Sequence, residues 1–225
     1  MDRILRAEGG WQDAVASALR SVPRPIATDP RLLPRAVATV DGVQPRAVPS
    51  AAGAPRDAAT LLLLYPGPDG ELHVPLTLRR PDLRSHAGEV SLPGGAVDAG
   101  DESALAAALR EAWEEIGVAP DAVRPLGALD QIWIPVSGFQ LRPFVGGVES
   151  RPALMPHADE VAGIVELPLR LLVADDAVVE RLIEGPGWSL RAGAYLHGEL
   201  VIWGATARTL AMFATVMRHA LSAGS

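Results

Sequence analysis

The chain contains no cysteine and no lysine. Without a thiol there can be no cysteine nucleophile, no disulfide and no cysteine-ligated zinc. Without a lysine there can be no Schiff base, no pyridoxal phosphate attachment and no Walker-type phosphate loop, and all 20 basic residues are arginine. Nor does any apolar run reach the roughly 18 residues that a membrane-spanning helix requires. The opening MDRILRAEGGWQDA lacks the basic-then-apolar layout of a signal peptide, so the expectation is a soluble cytoplasmic protein with no membrane partner. A net charge of −7 argues against a nucleic-acid partner, which calls for a basic face. A small anionic substrate stays compatible, provided metal and local arginine screen it. At 225 residues and 48% hydrophobic, the chain can bury one substantial core.

The most informative stretch is Leu92 to Val118, LPGGAVDAGDESALAAALREAWEEIGV, a Gly-rich turn running into a helix. Taking Leu105 as zero at 100° per residue, Leu109, Ala112 and Ile116 fall within about 40° of it and form the expected buried stripe. Glu111, Glu114 and Glu115 come out between about 180° and 280°, so three carboxylates are expected on the side away from the core. Such a cluster repels itself unless a cation sits in it. Hard divalent ions prefer acidic oxygen ligands, and Mg²⁺ combines one or two carboxylates with water and substrate phosphates. Three acids at this spacing alone are more often a solvated helix face; Gly94, Gly95 and Gly117 around them favour the metal site.

The second half of this stretch, REAWEEIGV, resembles the signature of the Nudix hydrolases. Arg110, Glu111, Glu114, Glu115 and Gly117 match it position by position, with Ala112 at a usually aliphatic place. Asp101 stands where the common box has Glu, and the interval from there to Arg110 is one residue longer than usual, which makes Asp101 and Glu102 alternative equivalents. Upstream, PLTLRRPDLRSHAGEVSLPGG resembles the extension found in the coenzyme A pyrophosphatase branch of the family. Leu76, Thr77, Arg79, Arg84, Gly88, Pro93, Gly94 and Gly95 keep its spacing, Leu92 replaces a Phe, and Arg80 stands at a usually small position. Downstream, VSGFQLRPFVG is similar to the strand region after the box, and DEV at 159–161, LPL at 167–169 and WGATA at 203–207 are weaker supports.

The resemblance implies an α/β/α sandwich with a mixed sheet between helices, and a metal-dependent pyrophosphohydrolase using Mg²⁺ or Mn²⁺ at Glu111, Glu114 and Glu115. It implies coenzyme A or an acyl derivative as substrate. Another nucleoside diphosphate derivative such as ADP-ribose or a nucleotide sugar stays open, as does a non-catalytic nucleotide-binding domain, although the latter usually loses the box acids. Glu114 and Glu160 are both candidates for the base that takes a proton from water. Arg110 joins the catalytic set, either by phosphate contact or as the intrahelical partner of Glu114 four residues on. Arg79, Arg84, Gly94, Gly95 and Gln140 are the expected substrate-binding residues, with Arg84 suited to a bidentate grip on phosphate. Arg80 reads as a solvated edge. The five histidines show no metal-ligand spacing, and Trp133, Phe139 and Phe144 are expected in the core.

Residues 1–56 read as a short helix, with Trp11, Val15, Ala18 and Leu19 on one side, followed by a Pro/Ala-rich arm packed on the body. Residues 57–225 form the main domain. The arm leaves open the covering of a sheet edge or a homodimer contact. In the main domain, 59–65 and 73–79 read as a hairpin, 131–136 and 139–148 as strands, and 195–203 as a strand broken at His197-Gly198. Residues 167–172 and 175–183 read as helical, with Pro168 in a first turn, and 206–221 as a closing helix of unclear register.

Overall fold

The computed structural model describes residues 5–37, 53–80, 89–185 and 188–223. Its centre is β2 (Arg56–Pro66), whose LLLL run is buried on both faces because it is covered from both. β2 runs parallel to β8 (Phe139–Gly147), from Arg56 opposite Phe139 to Leu64 opposite Gly147. On its other edge it pairs antiparallel first with β5 (Gly94–Ala96) and then, at Tyr65 and Pro66, with β3 (Leu72–Arg79). β3 continues into β9 (Val161–Pro168) and β4 (Val90–Ser91), while β8 carries β6 (Arg124–Ala128) and β7 (Ile132–Ile134), giving an eight-stranded mixed sheet.

Alternation along β2 divides the core. Ala59, Leu61, Leu63 and Tyr65 pack under α2 (Ala104–Ile116), whereas Leu62 and Leu64 join the cluster on the opposite face. That second cluster is built with α1 (Trp11–Ser21), the one-turn α3 (Arg170–Val173) and α4 (Gly204–Ala223). A four-stranded sheet of β1 (Arg35–Ala36), β10 (Val179–Gly185), β11 (Trp188–His197) and β12 (Leu200–Ile202) contributes Tyr195 and Ile202 to it. The expected helices-on-both-faces arrangement is therefore found. α4 shows no clean stripe because it is enclosed on several sides: Leu210, Ala211, Met212, Phe213, Ala214, Val216 and Met217 are all buried.

Three sequence expectations are corrected. Residues 179–185 form a strand, since Val178, Val179 and Ile183 favour extended backbone and β10 finds a full antiparallel partner in β11. Pro168 ends β9 rather than starting a helix, and only Arg170–Val173 is helical there. Trp133 is 39% exposed on a short edge strand and is not a core residue.

The N-terminal helix presents the expected Trp11, Val15, Ala18 and Leu19 inward. Trp11 lies on Gly147, where an added Cβ would stand 2.8 Å from the indole, and Leu19 lies on Gly127. Beyond it Ile26 and Leu32 are buried, and Arg24 donates to Asp130 at 2.5 Å. Trp11→Ala should therefore lower the unfolding free energy by about 3–5 kcal/mol, the cost of emptying a buried aromatic site. Urea titration would detect this; a loss below about 1 kcal/mol would mean that α1 is not part of the cooperative unit.

Candidate active site

α2 begins at Ser103, whose hydroxyl accepts the Ala106 N–H at 3.1 Å, and ends at Gly117, whose φ of 75° supplies the left-handed turn that a side chain disfavours. Its buried face coincides only in part with the expected stripe. Ala107, Ala108, Ala112 and Ile116 are fully buried and Glu115 nearly so, while Leu105 and Leu109 are only half-buried. Of the expected Leu105, Leu109, Ala112 and Ile116, only the last two are fully buried. The short alanines instead let the helix sit close on β2 and β5, and that rotation carries Glu111 and Glu115 inward.

Gly94 and Gly95 make room for this approach. A Cβ on Gly94 would lie 2.4 Å from the Ala59 carbonyl oxygen, and one on Gly95 would lie 2.4 Å from Glu111 Oε1. The Gly94 N–H donates to Glu115 Oε2 at 3.2 Å, and Arg79 Nη1 stands 4.0 Å from Glu115 Oε1. Burial pushes the Glu115 carboxyl up to about 7; Glu111 and Glu160 add to the rise, and the Gly94 N–H and Arg79 oppose it. Burial also raises Glu111, against the pull of Arg110 and with the push of Glu114 and Glu160.

Arg110 holds the loop before α2 to the helix. Its Nε and Nη2 donate to both Asp101 oxygens at 3.0 and 3.1 Å, Nη1 to Glu111 at 2.9 Å and Glu114 at 3.0 Å, and Nη2 to the Ala96 carbonyl at 3.2 Å. The pairing with Asp101 holds that carboxylate below its ordinary range and raises the guanidinium. With its donors engaged in this way, Arg110 orients carboxylates and has no free edge for phosphate. Asp101, rather than the exposed Glu102, is the residue that meets it. Glu114 lies exposed on the Arg110 side, so the three helix carboxylates do not converge.

Glu160 arrives from another segment. The stretch 155–160 docks on the end of α2 through Met155 N–H to Ile116 O and His157 N–H to Glu115 O, both 3.0 Å. Arg80, read as a solvated edge, instead ties β3 to this turn, its Nη1 donating to Ala158 O at 2.8 Å. Among the described residues no three acidic or histidine side chains are gathered into a ready-made metal cage. Glu111 and Glu115, repelled by each other and by Glu160, nevertheless form a donor set suited to a cation that takes one or two carboxylates and fills its shell with water and phosphate.

A cavity of about 340 Å³ adjoins β5 on the α4 side of the sheet, touching Arg79, Gly94 and Gly95 and then mostly apolar residues such as Leu92, Ile134 and Leu141. Gln140 does not line it. Strand alternation puts Phe139 and Leu141 in the cavity wall and turns Gln140 to the α2 face, where it donates to Gln131 at 3.2 Å. Arg84, with His86 and Gly88, lies outside the described residues. The cavity also touches Thr206, within the WGATA stretch, and Thr209 of α4, for which the sequence carries no local signal.

A Gly-Gly strand clasped to a Glu-bearing helix is an arrangement able to hold a divalent cation beside phosphate oxygens. A family model of the NUDIX domain matches residues 55–176. The uncharacterized Nudix hydrolase NudL of Pectobacterium atrosepticum is 39% identical over 152 residues, 68% of this chain and 78% of that protein. The NudL of Citrobacter koseri is 42% identical over 134 residues, 59% of this chain and 68% of that protein. Among solved structures, a MutT/nudix family protein from Enterococcus faecalis aligns with a TM-score of 0.50 at 15% identity, covering 76% of this chain and 64% of that one, a likeness of fold alone. The chain belongs to the Nudix hydrolase family and is a pyrophosphohydrolase acting on nucleoside diphosphate derivatives.

Two outcomes follow from this geometry. Gly95→Ala should displace the Glu111 carboxylate and lower kcat by about 10²-fold or more while the fold survives, read by steady-state kinetics beside circular dichroism. In metal-free protein the raised Glu115 gives stability that is full below the ordinary carboxyl value of 4.5 and is lost as pH rises through about 7. Glu115→Gln should flatten that decline, as urea midpoints in chelator at about pH 5 and about pH 8 would show; an unchanged slope would assign it to other groups.

Proposed function

We propose that this enzyme cleaves the diphosphate of coenzyme A or an acyl-coenzyme A, releasing 3′,5′-ADP and a 4′-phosphopantetheine. The observation that carries the reading is the mainly apolar cavity beside Arg79, Gly94 and Gly95, which offers an organic arm of a diphosphate substrate a place across β5 from the carboxylates. The Leu76-Thr77-Leu78-Arg79 segment supports it. Thr77 is fully buried, and its hydroxyl meets Ser91 Oγ at 2.9 Å, which fixes β3 to β4 and aims Arg79 at the Glu115 side.

In this reading Glu111 and Glu115, with Glu114 at the rim, would hold Mg²⁺ or Mn²⁺, which when bound would supply positive charge against the diphosphate oxygens and make water more acidic. Arg110 keeps Glu111 in place. Gly94 and Gly95 keep the backbone low so that the diphosphate can approach it. Arg79, whose Nε is buried without a partner, supplies positive charge at the cavity wall. The Glu160 carboxylate takes the proton of the attacking water; its oxygen bonds to one phosphorus, the bridging P–O bond breaks, and the other phosphate leaves with the bridging oxygen. Glu160 is preferred to Glu114 because Glu114 is engaged by Arg110. Residues 5–37 serve as an accessory layer on this domain.

Coenzyme A, ADP-ribose and a nucleoside triphosphate should be compared side by side with Mg²⁺ or Mn²⁺. Selective release of 3′,5′-ADP, reduced about 10²- to 10⁴-fold in kcat by Glu160→Gln, is expected. Cleavage of ADP-ribose but not coenzyme A would discard the substrate assignment, and an unaffected Glu160→Gln would discard the base.

A further inference from the structure

The cavity wall includes a helix N-terminus. β12 ends at Ile202, Gly204 turns the chain with a φ of 66°, and α4 then runs for 20 residues. Gly204, Ala205 and Thr206 all line the cavity. Their N–H groups belong to the first helical turn and have no intrahelical acceptor, and Trp203 before them carries no side-chain oxygen to cap them. One turn on, Thr209 also lines the cavity, is 0% exposed, and has a hydroxyl with no hydrogen-bond partner. A threonine inside a helix ordinarily donates back to the carbonyl four residues earlier, here Ala205, and Thr209 does not. Arg208 beside it is half-buried with no carboxylate partner among the described residues, and burial lowers its pKa.

Backbone N–H groups, a buried hydroxyl and the positive end of a 20-residue helix on one cavity wall are the chemistry of an anion site. Three N–H groups and a hydroxyl suit the three terminal oxygens of a phosphate monoester. The diphosphate is already placed at Gly94, Gly95 and the α2 carboxylates. We infer that the first turns of α4, with Thr209, bind a phosphate monoester carried elsewhere on the same substrate. This rests on the proposed coenzyme A reading, in which the 3′-phosphate of the nucleotide is that group, and it makes α4 a selector between 3′-phosphorylated and unphosphorylated nucleotides.

The test compares wild type, Thr209→Val and Thr209→Ser. Valine matches threonine in shape and removes a hydroxyl that holds no protein partner, so the fold is retained; serine keeps the hydroxyl. KM and kcat are measured for coenzyme A and 3′-dephospho-coenzyme A with Mg²⁺, and binding of 3′,5′-ADP and 5′-AMP is measured by calorimetry without metal. Thr209→Val is expected to raise KM for coenzyme A by about tenfold, to weaken 3′,5′-ADP by about the same factor, and to affect the unphosphorylated partners far less, with Thr209→Ser close to wild type. Equal effects on both members of each pair, or no effect on either, would overturn the inference. If coenzyme A is not hydrolysed but 3′,5′-ADP still binds through Thr209, the anion site stands and the substrate assignment falls. If coenzyme A is hydrolysed with no preference for the 3′-phosphate, the reverse holds.

Discussion

The contact of β5 with α2 governs the geometry around it. Gly94 and Gly95 bring a bare backbone against β2 and against the Glu111 carboxylate, and a side chain at either position would overlap atoms already there. Opposite them α2 answers with alanines at 107, 108 and 112, so helix and strands meet at short range. Close packing of this kind turns Glu111 and Glu115 toward the protein, where burial raises both their carboxyls. A larger residue on either side would return the carboxylates to solvent and remove that effect.

Electrostatic organisation follows from this burial. Asp101, Ala96, Glu111 and Glu114 share one guanidinium, so the loop ahead of α2 and the helix are fixed as a unit by Arg110. Among the described residues nothing comparable compensates Glu115, which has one backbone N–H and a distant Arg79. The imbalance leaves a negative centre that a divalent cation would complete. The docking of 155–160 on the end of α2 adds Glu160 to it from a remote part of the sequence.

The sheet separates two tasks. Carboxylates gather on the α2 face, and the cavity opens on the α4 face, with β5 and Arg79 between them. β2 makes this possible because alternate residues serve different clusters, Leu61 and Leu63 on one side and Leu62 and Leu64 on the other. Period-two alternation likewise removes Gln140 from the cavity while keeping Phe139 and Leu141 in it.

The sequence by itself determined the elements whose signals are local. The Gly-rich turn ahead of α2 and the helix itself, a strand at 59–65, and Trp11, Val15 and Leu19 on the inner face of α1 were readable, and the absence of cysteine and lysine removes whole classes of chemistry. The box residues were legible because their spacing lies within one turn-helix unit. Tertiary structure alone decided which way α2 faces, since alanine contributes little to a hydrophobic pattern yet permits the closest packing. It also decided that 179–185 is a strand, through pairing with β11, and that Thr209 stands buried without a partner at the cavity wall. Each of those depends on what a distant segment places alongside, and no local periodicity encodes it.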